Sequence, residues 1–359
     1  MKKLVIVTRC LFSGGAERVT AAIANYMDEK GISCSIIMLD EYEIFYKTNE
    51  NVKLYTIGEI CKNKVLNRIM KYKKVRSIVK EISPDIVLTL PEDIGIYVIP
   101  AMLGSKIPVV VSERNNPWIM PTGKLSRLLR KIAYIFADGF VFQTGMAASF
   151  FSKRIQDKGV ILKNPLDTEN IPEKFVGERR RVVVGVGRLY DQKNFPLLIS
   201  AFSEFYKTHS DYKLVIFGEG HKRAGIEALA NEMLESGSWE MPGRTSNWQD
   251  KAKDAKMFVL SSDFEGMPNA LIEAMATGIP SISTDCPSGG SRELIENNVN
   301  GILIPVGDKD AMVDAMCKLA DDEEFADMLS QNGVKLQEIL NSEVICKKWY
   351  DYFERIITK

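Results

Sequence analysis

An alternation of short β-branched runs with helix-forming stretches, run through twice, limits the fold of this chain more than any other feature. In the first half, strands are read at "LVIVT", "SCSIIML", "DIVLTL", "PVVVS" and "GFVFQ", with helical sequence between them. The second half repeats the scheme with "RVVVGVG", "KLVIFG", "KMFVLSS", "IPSIST" and "GILIPV". Near-continuous apolar strands separated by helices predict parallel sheets covered on both faces. Two such series predict an α/β protein of two doubly wound domains, and 359 residues suit two cores better than one. The seam is expected in "KNPLDTENIPEKFVGERRR", where Pro165, Pro172 and Gly177 interrupt the pattern among polar residues. This divides the chain into an N-terminal domain over 1–168, a linker at 169–180 and a C-terminal domain over 181–340. A last helix over 341–359 is expected to pack back towards the first domain. A site between two such domains would lie at the carboxyl ends of both sets of strands.

Composition narrows the function. The chain is 45% hydrophobic and 26% charged, which is ordinary for a soluble globular protein. Formal net charge is zero, yet residues 1–170 hold 25 Lys+Arg against 17 Asp+Glu, leaving the second half acidic. A basic half suits nucleic acid, an anionic membrane or a phosphorylated substrate. With no zinc-knuckle spacing and no aromatic and basic RNA-binding strand, nucleic acid is the least supported of the three. Six scattered cysteines without a C-x-x-C pair read as reduced thiols of a cytosolic protein, and two histidines exclude a His-rich metal site. Arg9 interrupts the apolar start "MKKLVIVTRC", which reads as a first strand rather than a signal peptide. No run approaches the roughly 18 to 20 apolar residues of a spanning helix, so any membrane contact is expected to be peripheral.

Each half places a distinctive turn after a strand. In "SGGAERV", Gly14 and Gly15 lead into a helix whose N-terminus favours an anionic ligand. In "RLYDQKN", Arg188 and Lys193 follow a strand end and are spaced to converge on a diphosphate. Taken alone, a Gly-Gly turn is more often plain loop geometry and an exposed Arg or Lys is usually solvated charge; their shared position after strand ends favours the functional reading. The stretch "FEGMPNALIEAMATG" sets Glu265 on an approach loop and Glu273 inside the helix that Pro268 opens and Gly278 with Pro280 ends. Backbone N–H groups near Pro268 to Leu271 would hold a diphosphate, with the two carboxylates accepting from hydroxyls on either side of it. Acidic residues at a helix start also favour the macrodipole by about 0.3 to 1 kcal/mol, which would explain one glutamate and not the spacing.

The run "VGRLYDQKN…FGEG…PGRTSN…SSDFEGMPNALIEAMATGIPSISTDCPSGGSRELIENNVNGILIPVGD" resembles the C-terminal domain of glycosyltransferase family 4, the retaining nucleotide-sugar transferases. "SGGAERV", "SERNNP" and "FQT" extend the likeness over nearly the whole chain. The resemblance implies a GT-B fold, two Rossmann-like domains facing across a cleft. It is strongest to transferases that build capsular, exopolysaccharide or lipid-linked glycans, often from uridine diphosphate (UDP) sugars. It matches Arg188 and Lys193 to a diphosphate-binding pair and Glu273 to a ribose-binding glutamate. Glu265 with the backbone of Gly266, Met267, Pro268 and Asn269 matches the donor-sugar contacts, and Ala270 and Leu271 continue the helix start. Gly243 and Arg244 match the loop beside the nucleobase, and Gly15 the glycine closing over the donor. The family generally needs no divalent metal, and no cofactor is implied. Asp308 and Asp310 in "PVGDKDAM" read as a helix N-cap rather than a metal-binding pair. Two departures stand out: Arg114 replaces a histidine common in relatives, and "LESGSWEMPGR" is shorter than the usual approach to the base.

The resemblance implies transfer with retention, attack and departure sharing one face, and a leaving phosphate that takes the acceptor proton. Three other readings compete. A dinucleotide oxidoreductase fails on its fingerprint, since "GVGRLY" puts Tyr190 at the third glycine. A nucleotide-sugar epimerase of the same fold and a non-catalytic sugar-nucleotide module stay open. Residues 62–80 hold eight Lys or Arg and no acid, with Val65, Ile69, Val75, Ile78 and Val79 at nearly helical spacing. They read either as a surface helix with a solvated cationic face, or as a face where Arg68, Lys71, Lys74 and Arg76 meet anionic headgroups or a polyprenyl diphosphate. "KLSRLLRKIAYIF" at 124–136 is a second basic, apolar patch. Such an enzyme is expected in the cytoplasm, at the inner face of the plasma membrane.

Overall fold

The structure, a computed structural model, describes residues 1–12 and 14–358; Ser13 of "SGGAERV" and Lys359 of the last segment lie outside them. The chain forms two compact units, Met1–Pro165 together with Ser342–Lys359, and Leu166–Asn341. The first unit has seven parallel strands, β1 (Lys3–Thr8), β2 (Ser33–Met38), β3 (Lys53–Thr56), β4 (Ile86–Thr89), β5 (Val109–Ser112), β6 (Gly139–Phe142) and β7 (Gly159–Ile161). Their order is β3-β2-β1-β4-β5-β6-β7. Strands β4, β5 and β6 are buried along their whole length, which is why their sequences are unbroken apolar runs. The sequence reading lacks β3 and β7 because these edge strands, "KLYT" and "GVI", are largely uncovered and carry no such run.

Helices Lys64–Ile82, Glu92–Met102 and Lys124–Ala133 lie side by side, the middle one packed against both others. Val75, Val79, Ile94, Val98 and Ala133 share a core with Val5, Val7, Val87 and Val111 of the sheet. Helix Gly15–Glu29 packs instead against the last helix, Ser342–Ile357. Tyr352 of that helix reaches the far part of the sheet, where its hydroxyl accepts from Phe140 N (2.8 Å) and donates to Lys158 O.

The second unit has six parallel strands, β8 (Arg180–Val186), β9 (Lys213–Phe217), β10 (Trp239–Gly243), β11 (Ala255–Leu260), β12 (Ser281–Thr284) and β13 (Ile302–Ile304). Their order is β10-β9-β8-β11-β12-β13. The sequence reading also lacks β10, an edge strand that carries Pro242, a residue confined to such places because it cannot donate to a ladder. Residues 169–180 lie in this unit, where Arg179 donates to the carbonyls of Lys253, Ala255 and Gly278. Asp308 caps helix Lys309–Asp321 by accepting from Ala311 N at 2.9 Å. In both sheets the strand order reverses after the first strand, so each has a switch point, between β1 and β4 and between β8 and β11.

Removing the Tyr352 hydroxyl should therefore loosen the first unit. Tyr352→Phe is expected to lower its stability by about 1 to 2 kcal/mol in urea unfolding, since a buried backbone N–H loses its better acceptor. An unchanged midpoint would show that these bonds do not hold the last helix in place.

Candidate functional site

The loops that leave β8 and β11, neighbours at the switch point of the second unit, carry most of the sequence-derived residues. After β8 come Gly187, Arg188 and a short turn Asp191–Lys193, then helix Phe195–Tyr206 capped by the Asn194 side chain. After β11 come Ser261 to Pro268 and helix Asn269–Ala276, with Pro268 at the N-cap. Besides the contacts of Glu265, hydrogen bonds join the loops from Asp263 N to Gln192 O (2.9 Å), Gln192 Nε2 to Phe264 O (2.9 Å), Ser261 Oγ to Lys193 O (2.8 Å) and Asn194 Nδ2 to Asp263 Oδ1 (2.7 Å).

Lys193 and Glu265 meet in this frame. The Lys193 ammonium bonds Glu265 Oε1, which also accepts from Ser262 Oγ at 2.8 Å, while Gln192 Nε2 reaches Oε2 at 3.3 Å. Glu265 is buried, and burying a carboxylate is costly unless it is paired and hydrogen-bonded, as it is here. Arg188, by contrast, is exposed, with its guanidinium over the Tyr190 ring, which packs edge-on to His221.

Glu273 takes a part that the spacing alone does not reveal. Its Oε2 accepts from Trp248 Nε1 (2.8 Å) and Gln249 Nε2 (2.7 Å), so the buried carboxylate fastens the short helix Trp248–Ala252 to helix Asn269–Ala276. That helix follows the loop bearing Gly243, which ends β10 with φ +88°, and the exposed Arg244. The Leu271 side chain is wholly buried and Met267 nearly so, leaving backbone as what they offer a ligand, while Ala270 and Asn269 are half-buried. First-turn amides have no intrahelical acceptor, so the start of this helix attracts an anion.

Two glycines outside the sequence-derived set shape the same loops. A Cβ on Gly218 would stand 1.9 Å from the Gly187 carbonyl oxygen, and one on Gly290 would stand 1.8 Å from that of Gly266. Both are backbone against backbone and admit no side chain. "FGEG" and "PSGGS" are the signals that point to them.

In the first unit, Gly15 opens helix Gly15–Glu29 in the loop after β1, the switch strand of that sheet. Arg114 follows β5 and is buried at the carboxyl end of the sheet. Its guanidinium bonds Asn164 Oδ1, which also accepts from Gln143 Nε2 at 2.8 Å, and its backbone N–H reaches Glu92 Oε2 at 3.2 Å. Arg114 Nε and Nη1, Glu113 Oε2 and Gln143 Oε1 are buried without a hydrogen-bond partner. Burial lowers the Arg114 pKa to about 10, so it stays charged at neutral pH. Burial, with the nearby Glu92 charge, pushes the Glu113 carboxyl up to about 8, and the Tyr134 hydroxyl bonds it. The sequence reading does not single out Glu92, Glu113, Gln143 or Asn164; Glu113 and Gln143 directly follow strand ends, whereas Glu92 opens helix Glu92–Met102 and Asn164 lies three residues past β7.

The cationic helix is less free than its sequence implies. Lys71 is paired with Asp40 at 2.5 Å and donates to Leu39 O, Arg76 donates to the carbonyls of Ala101 and Leu103, and Arg68 donates to Tyr97 Oη at 2.9 Å. These three cations hold their own unit together, and of the four only Lys74 is exposed without such a bond. The expected apolar face is split as well, because Val75, Ile78 and Val79 are buried whereas Val65 and Ile69 are exposed.

Comparison with known proteins identifies the framework. Residues 13–170 match the family model described as Glycosyltransferase Family 4, and residues 167–336 the one described as Glycosyl transferases group 1. The chain is 27% identical to a Campylobacter jejuni GalNAc-alpha-(1->4)-GalNAc-alpha-(1->3)-diNAcBac-PP-undecaprenol alpha-1,4-N-acetyl-D-galactosaminyltransferase, over 97% of each chain. It is 28% identical to that organism's N-acetylgalactosamine-N,N'-diacetylbacillosaminyl-diphospho-undecaprenol 4-alpha-N-acetylgalactosaminyltransferase, over 90% of this chain and 92% of the other. Among solved structures, Anabaena HepE in complex with UDP and glucose superposes with a TM-score of 0.85 at 14% identity, over 99% of this chain and 100% of the other, a likeness that shows the GT-B fold. With the two family models spanning residues 13–336 between them, and relatives aligned over almost its full length, the chain belongs to the family 4 glycosyltransferases.

Proposed function

We propose that the protein transfers a hexose or N-acetylhexosamine from a UDP-sugar to a glycan carried on a polyprenyl diphosphate. Transfer retains configuration and needs no metal ion, and it occurs in the cytoplasm at the inner face of the plasma membrane, in cell-surface polysaccharide synthesis. The observation that carries this reading is the meeting of Lys193, Glu265 and the start of helix Asn269–Ala276 at the β8/β11 switch point, with Arg188 on the same loop. The undecaprenol-linked acceptors in the names of the two Campylobacter relatives and the UDP bound by HepE support it.

Breaking a sugar–diphosphate bond develops positive charge on the ring and negative charge on the departing phosphate. Arg188, Lys193 and the helix amides compensate the phosphate. Glu265, aligned by Ser262 and Gln192, keeps the ammonium in position and accepts from a donor-sugar hydroxyl. Glu273 faces the ribose while fixing Trp248 and Gln249 beside the base loop. The acceptor hydroxyl attacks the face that the diphosphate leaves, and a diphosphate oxygen takes its proton. Arg114, a buried cation at the carboxyl end of the other sheet, serves the acceptor side.

Lys193→Ala and Arg188→Ala should each lower turnover about a hundredfold to a thousandfold, the cost of one missing contact to developing charge. Initial rates of UDP release with and without acceptor measure this. Rates within about threefold of wild type for both variants would remove the pair from the mechanism, and donor interconversion without acceptor would mark an epimerase.

The two glutamates should separate in calorimetry with UDP. Glu273→Gln is expected to weaken UDP about tenfold or more, because the ribose acceptor and the anchor of the base loop change together. Glu265→Gln, whose amide oxygen can still accept from Lys193, should weaken UDP less than Glu273→Gln does and mainly slow transfer, since its ligand contact is to the sugar. Equal losses of UDP affinity would contradict this division.

A further inference from the structure

We infer that the first unit docks on an anionic lipid bilayer through the outward face of helix Lys124–Ala133 and the turn Tyr134–Phe136 that continues it. This gives the partner of a lipid-carried acceptor a definite surface, and so rests in part on the reading above.

The helix turns most of its large apolar side chains to water, while Leu129 is half-buried and Arg127 is exposed. Leu125, Leu128 and Ile132 share one side at helical spacing and are 69%, 54% and 49% exposed, and Ile135 and Phe136 prolong the stripe at 47% and 54%. The side turned towards the fold buries Arg130 and Ala133 instead. A water-facing helix normally does the reverse, burying its leucines and exposing its arginines. The helix is firmly held in this orientation. Arg130 donates to Met120 O (2.8 Å) and Pro117 O (3.0 Å) and lies over the Phe150 and Phe151 rings, and Arg127 donates to Pro121 O and Ile119 O, both at 2.8 Å. The outward stripe is therefore a fixed property of the fold.

Charge selects the partner. Residues 114–137 contain five Lys or Arg and no acid, and Lys124 and Lys131 stand exposed beside the stripe. A second copy pairing through the same face would set these cations against each other. An anionic bilayer attracts them and takes the aliphatic side chains into its interface. Trp118, in the segment that Arg127 and Arg130 hold, is 43% exposed, as suits an aromatic at a membrane boundary. The same helical layer offers a second acid-free stripe, where the first half of helix Lys64–Ile82 exposes Val65, Leu66, Ile69 and Met70. The contact is thus apolar insertion flanked by lysines, rather than the cationic face of residues 68–76.

Co-sedimentation of the full chain with phosphatidylglycerol–phosphatidylethanolamine vesicles, free of any glycan lipid, tests this. The wild type should bind. The double variant Leu128→Ser with Ile132→Ser should lose about tenfold or more of its partition at low and high salt, while Lys124→Gln with Lys131→Gln should lose binding mainly at low salt. Thermal unfolding, UDP affinity and turnover on a short-chain soluble acceptor should stay at wild-type values in both. Should the serine variant unfold, brominated lipids on folded protein still decide: they should quench wild-type fluorescence, and Trp118→Phe should remove that quenching. Absence of wild-type binding, unchanged partition of the folded serine variant, or a wild-type dimer that the serine changes dissociate would each overturn the inference. Because the vesicles carry neither donor nor acceptor, failed docking leaves transfer to the soluble acceptor intact, and failed transfer leaves docking intact.

Discussion

The ion pair between Lys193 and Glu265 is the constraint on which the second unit's site depends. It joins the loops of two neighbouring strands where the sheet reverses its order, and each partner is largely withdrawn from water. A pair of this kind gains little over a well-packed apolar contact, yet losing one partner leaves a buried charge that costs about 3 to 5 kcal/mol. The neighbouring Ser262 and Gln192 supply the hydrogen bonds that make the burial tolerable. The loops around the pair are thereby joined through side chains, and in the proposed transfer this places charge where a leaving phosphate would need it.

Close approach of backbone to backbone supports the same place. Gly218 and Gly290 let two further segments lie directly against the carbonyls of Gly187 and Gly266, where no other residue fits. The β8 and β11 loops are thus braced from outside as well as joined to each other. Glu273 extends the frame to the end of β10 by holding Trp248 and Gln249.

Legibility in the sequence followed burial. The ten strands read from apolar runs are central or covered, so their environment is written in their composition; β3, β7 and β10 are edge strands whose mixed residues say little. The glutamate spacing and the Arg188–Lys193 loop were visible because they follow strand ends directly. That Glu273 acts as an anchor was not, since its partners Trp248 and Gln249 come from another loop and only folding brings them together. The cluster of Glu92, Glu113, Arg114, Gln143 and Asn164 draws on four strand ends in the same way. Charge on residues 62–80 was read as one face, but Lys71 and Arg76 find carboxylate and carbonyl partners far away in the chain. Helical spacing orders residues around an axis and does not say which side the fold will cover.

The path of the chain has a consequence for how the protein is made. The first unit takes its last helix from Ser342–Ile357, so the whole of Leu166–Asn341 is inserted within it. The points of entry and exit lie together, with Leu166 N bonded to Leu340 O at 2.7 Å and Asn341 Nδ2 to Thr168 Oγ1 at 3.2 Å. On the ribosome, the inserted unit emerges complete while the surface of helix Gly15–Glu29 that the last helix covers is still bare. Of the two units, the one begun first is thus completed second, and its long-range closure waits until the apolar residues Trp349 and Phe353 have been made. Nascent chains stalled before residue 342 expose that surface for as long as they wait, which makes this step the natural point of engagement for chaperones.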